Sequence, residues 1–155
     1  QHIVEYLKTD NLVQDCLLAL HEKYGDRIRI LFLCSARDAL LAVNQSALDE
    51  KYEKASLESG RRFQQDLAKM CEILRRKIPG IGLYIFSGPM DAPGYDDQLL
   101  TLHCALNNYF LFEGQEDGKT VADWLLAATA GNVEQLGLAW LQAGDEEIER
   151  SIRRT

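Results

Sequence analysis

The sequence predicts an α+β fold: a mixed or antiparallel sheet of about four to five strands, a long helix after the first strands, and a C-terminal helical hairpin. Three observations point there. Residues 27–34 and 81–87 are apolar runs of strand length. Between them, apolar residues recur at threes and fours from Leu48 to Ile78, the spacing of one helix face. After Gly118, two short helical patterns flank Gly131-Asn132. The order helix, strands, long helix, strands, helical hairpin places helices on one side of the sheet.

Each element follows from its residues. Residues 2–24 carry helical spacing through Ile3, Leu12, Cys16 and Leu20, with a break at Thr9-Asp10-Asn11 and an end at Gly25. Arg27 to Cys34 alternates in its first half and is wholly apolar in its second, as in a strand with one buried end. Residues 39–44 read as a short second strand. Ser46, with Asp49 three positions on, starts the long helix in a capping-box-like way, and Pro79-Gly80 ends it. Residues 99–112 fit either a helix or strands. Leu100, Leu102 and Cys104 alternate, as do Asn108, Phe110 and Phe112, and the aromatic residues favour two strands. Helices are expected from about Thr120 to Ala130 and from about Val133 to Gln142, with a charged one after Gly144-Asp145.

The 155 residues fit a single globular domain. The chain begins at Gln1, as a processed chain or one cut from a longer protein does. With 46% hydrophobic residues it has material for a core without metals or disulfides. A net charge of −7 argues against a nucleic-acid partner, because phosphates need Lys and Arg. The basic clusters Arg75-Arg76-Lys77 and Arg150, Arg153, Arg154 fall near predicted helix C-termini, where the helix dipole favours cations. The longest apolar run is too short for a membrane span, and no secretory signal is legible. Cys16, Cys34, Cys71 and Cys104 are scattered in apolar segments, which predicts reduced thiols and a cytoplasmic location.

No motif carries chemistry outright. Gly114 to Thr120 has three residues between its glycines where a phosphate loop has four, and two of the three are acidic; a hairpin turn or helix entry is expected instead. Asp91, Asp96 and Asp97 lack the spacing of a calcium loop. His2, His21 and His103 share no metal-ligand spacing, so neither a metal nor a cofactor is expected. Ser35 and Ser87 each follow an apolar strand; strand ends are where ligands bind in α/β sheets, provided that the strands pair parallel. Trp124 and Trp140, on the predicted hairpin, are candidate partner contacts. Tyr84, His103 and Tyr109, with Cys104, are candidates to line a pocket on the sheet.

Ala127 to Glu134, followed by Leu141-Gln142-Ala143-Gly144, resembles the helix-turn-helix of an ankyrin repeat, and Asp117 to Thr120 resembles that repeat's opening turn. Val121 stands where that family's proline follows the threonine, and no second copy recurs at the ~33-residue period. The segment is therefore read as a helical hairpin only.

The leading functional expectation is a non-enzymatic protein–protein interaction or regulatory module that self-associates, as a homodimer for example. A small-molecule-binding sensor or enzyme domain is the second. An acidic chaperone or immunity-type inhibitor of a basic partner is the third.

Overall fold

A computed structural model describes residues 11–42, 56–90, 96–106 and 109–153. Helix α1 spans Leu12–Tyr24 and stops at Gly25 as expected. Strand β1 is Leu31–Ser35. Helix α2 is Leu57–Lys77, opened by a capping box in which Ser56 and Ser59 exchange side-chain to backbone bonds. Strand β2 is Gly82–Phe86. A small hairpin, β3 (Gln115–Glu116) and β4 (Lys119–Thr120), leads into α3 (Val121–Thr129). Strand β5 (Gln135–Leu136) and helix α4 (Asp145–Ile152) complete the described chain. The Ser46 start, the stripe from Leu48 to Ala55 and residues 2–10 lie outside the described residues.

The mixture of helix and strand agrees with the predicted class; the sheet does not have the predicted form. It has three strands in the order β1-β2-β5, all parallel, and the β3-β4 hairpin forms a separate two-stranded sheet. Four to five strands in one mixed or antiparallel sheet is therefore corrected. Three predicted strands, one at 39–44 and two within 99–112, are not found among the described residues. Residues 39–42 are helical, because the Asp38 side chain accepts from the Leu40 and Leu41 amides and so caps a helix start. Among the described residues of 99–112, Thr101 makes one isolated parallel bridge to Asp38, and Tyr109–Leu111 is a 3-10 turn.

The predicted hairpin of two helices is also corrected. Its first helix is α3, whose capping box pairs Thr120 with Asp123. Its second is replaced by β5 and a 3-10 turn, Leu138–Gln142. Gly137 explains the break. Its φ is +71°, and a Cβ there would collide with the Ile85 carbonyl oxygen. The segment that resembles an ankyrin repeat thus folds as helix, strand and 3-10 turn.

Both faces of the sheet are covered, so helices do not gather on one side. Leu83 and Ile85 point to a core shared with Leu67, Cys71 and Leu74 of α2 and Ile148 and Ile152 of α4. Tyr84 and Phe86 point to the opposite core, with Leu102, Phe110, Val121 and Trp124. This alternation is the period of two of a strand. A parallel sheet buried on both faces needs wholly apolar strands, and all five residues of β2 are buried. Among the described residues no helix is long and apolar enough to cross a membrane.

Candidate functional site

The parallel pairing of β1 and β2 meets the condition on which strand-end sites depend. The chain leaving β1 at Ser35 stays buried: Ser35, Ala36, Arg37, Asp38 and Ala39 are each at most 2% exposed. Buried backbone must find partners, and Thr101 supplies them. Its N–H donates to the Arg37 carbonyl at 2.9 Å, and its carbonyl accepts from the Ala39 N–H at 3.1 Å. Its hydroxyl accepts from the Arg37 N–H at 3.0 Å and lies 2.5 Å from the Ser35 hydroxyl.

Asp38 sits at the centre of this bridge. Its Oδ1 accepts from the Leu40 N–H at 3.0 Å and the Leu41 N–H at 2.8 Å. Both carboxylate oxygens lie 2.9 Å from Nδ1 of His103. An ionised carboxylate only accepts, so Nδ1 donates and carries the proton. Burial pushes the Asp38 carboxyl above its ordinary value, and the bonds from Leu41, His103 and Leu40 pull against that rise. The His103 side chain is 38% exposed. Among the described residues its Nε2 has no hydrogen-bond partner. With Nδ1 protonated, Nε2 is left as the acceptor, available to a ligand proton. Leu40 and Leu41, whose amides meet the same carboxylate, expose 44% and 41% of their surface.

Arg37 takes a structural direction. Its Nε donates to Gln64 Oε1 at 2.8 Å and its Nη2 to Asp145 Oδ1 at 2.7 Å. Gln64 in turn donates to the Trp140 and Ala143 carbonyls. Arg61 also pairs with Asp145, and these two arginines, Arg61 first, lower the Asp145 carboxyl to about 2. The network ties the end of β1 to α2 and to the first residue of α4.

The other sequence candidates are dispersed. Tyr84 and Trp124 pack in one core with ring centroids 5.5 Å apart. The Tyr84 hydroxyl donates to the Lys119 carbonyl and accepts from the Glu116 N–H, and burial pushes it up. The Trp124 indole donates to the Glu134 carbonyl. Trp140 is half-buried, donates to Glu116 Oε2 at 2.6 Å and lines an open depression of about 260 Å³ with Glu147 and Arg150. A second depression, about 250 Å³, lies along Gln65, Lys69 and Leu141. Neither depression includes His103 or Asp38. Tyr109 is 41% exposed beside Phe110. Among the described residues no cluster of three or more His, Cys, Asp or Glu side chains has the arrangement of a metal site.

Sequence reasoning singled out His103 but not Asp38, Thr101 or Arg37. The local signal was Asp38 ahead of Ala-Leu-Leu, which is a helix cap. Its pairing with His103 spans 65 residues of sequence. No family model matches the chain, and neither a curated protein nor a solved structure matches it.

Proposed function

We propose that the chain is a small-molecule-binding domain, of the sensor or enzyme kind, whose ligand meets the outward imidazole edge of His103. One observation carries this reading. At the carboxyl end of a parallel sheet, a buried carboxylate holds a half-exposed imidazole by Nδ1, and Nε2 has no partner among the described residues. That arrangement fixes the tautomer and equips Nε2 to accept a proton from a bound ligand. The exposed Leu40 and Leu41 beside it suit a ligand with an apolar part. A thermal-shift screen of the chain against metabolites tests the reading. A compound that raises the melting temperature of the wild type and not of His103→Ala supports it. Hits that stabilise both proteins equally overturn it.

A second reading, a self-associating interaction module, is favoured by a different observation. Phe112 and Leu126 are 73% and 67% exposed, the two most exposed large hydrophobic side chains among the described residues. Light scattering at rising concentration tests it. A dimer that Phe112→Ser or Leu126→Ser dissociates supports this second reading, and a monomer at all concentrations opposes it.

A further inference from the structure

We propose that Thr101 is the positioning residue of the His103–Asp38 site, acting through its side-chain hydroxyl as well as its backbone. The inference rests on the reading of that site given above.

Thr101 bonds to the residues on either side of Asp38, accepting from and donating to Arg37 and accepting from Ala39. That register sets Asp38 opposite Thr101 and brings the imidazole two residues later against the carboxylate. A single backbone bridge holds a register weakly, since a slip of one residue turns a side chain to the opposite face. The hydroxyl supplies the extra constraint. It accepts from the Arg37 N–H and meets the Ser35 hydroxyl, and all of these groups are buried. A slipped register would strand the Arg37 N–H and both hydroxyls away from water, which is strongly unfavourable. Thr101 therefore holds Asp38 where the carboxylate can keep Nδ1 protonated. Asp38 is the charged group paired with the imidazole, and the Cys34 thiol is a further titratable group that feels Asp38.

The test is imidazole ¹⁵N NMR of the neutral His103 ring in the full chain, for wild type, Thr101→Val, Thr101→Ser and Asp38→Asn. Valine keeps the shape and removes the hydroxyl; serine keeps the hydroxyl. The expected result for Thr101→Val is a neutral ring whose proton moves from Nδ1 toward Nε2, as the carboxylate no longer lies against Nδ1. Thr101→Ser restores the wild-type values. Should Thr101→Val not fold, Thr101→Cys, whose thiol accepts only weakly, gives the same readout. A wild-type tautomer in the hydroxyl-deficient variant overturns the positioning role. Asp38→Asn separates the two claims. If it shifts His103 while Thr101→Val does not, the positioning role alone falls. If Asp38→Asn also leaves His103 unchanged, the reading of the site falls with it.

Discussion

Replacing Asp38 with asparagine keeps the side chain's shape and removes its charge, and the consequences differ for its two jobs. The amide oxygen still accepts from the Leu40 and Leu41 N–H groups, so the helix cap survives. The bond to His103 loses its charge. Oδ1, 2.9 Å from Nδ1, can still accept one bond, but the amide nitrogen in place of Oδ2 is a donor facing the same N–H, so the preference for the Nδ1-protonated tautomer weakens. The share of rings protonated at Nε2 is expected to rise. A charge-assisted bond of about 1.5–3 kcal/mol becomes a neutral one of about 0.5–1.5 kcal/mol. The imidazole's partial exposure places the loss at the low end. Loss of the buried charge offsets part of it, since burial already disfavours the ionised carboxyl. Asp38→Asn is thus expected to cost about 1 kcal/mol or less. Asp38→Ala, which loses both the cap and the imidazole bond, is expected to cost about 2 kcal/mol. Urea unfolding gives both stabilities, and imidazole ¹⁵N shifts give the tautomer. An unchanged Nδ1–H tautomer in Asp38→Asn, or an Asp38→Ala variant as stable as wild type, would refute the reasoning.

The remaining predictions concern the frame around the site. The Asp145 carboxyl is lowered from 3.8 to about 2, so its stabilisation is complete above the ordinary carboxylate range and is lost as pH falls from 3.8 toward 2. Asp145→Asn should be less stable at neutral pH and lack that part of the acid dependence; parallel wild-type and variant curves would contradict the clamp on Arg37 and Arg61. Gly137→Ala meets both a left-handed backbone and the Ile85 carbonyl, so a loss of about 2 kcal/mol or more is expected in thermal unfolding. Trp124→Ala empties a fully buried site next to Tyr84 and should cost about 3–5 kcal/mol, read by denaturant titration. Burial pushes the Cys34 thiol up and the Cys71 thiol up to about 12, whereas Cys16 is exposed. An aromatic disulfide reagent at pH 8 should label Cys16 rapidly and reach Cys34 and Cys71 only on unfolding.

How much of this was legible in the sequence varied with the range of the interaction. The first helix, the second long strand and the core stripe of α2 are local patterns, and the structure places them close to where the periodicity does; the first strand is present but begins at Leu31, because Gly25–Arg27 forms a 3-10 turn in place of its predicted start. The apolar run of β2 also carried an unread message: a strand with no polar face is buried on both sides and so suits parallel pairing. Ala39 to Ala42 is too short a run to distinguish strand from helix by period, and the capping role of Asp38 decides it. The predicted helix from Val133 failed because its spacing is helical while Gly137 takes a left-handed conformation and passes so close to the Ile85 carbonyl that no Cβ fits, a contact made across the fold. The site was half legible. His103 stood out as a residue, but its meaning comes from Asp38 and Thr101, which tertiary structure brings together.

The most direct test of the central claim follows the backbone amides of Leu40 and Leu41 and the Nε2 resonance of His103 while a library of small polar and part-apolar compounds is titrated into ¹⁵N-labelled chain. Binding compounds are predicted to move these signals together and saturably, and to lose that effect in His103→Ala. Compounds that bind while leaving all three signals unmoved would contradict a ligand site at the end of β1.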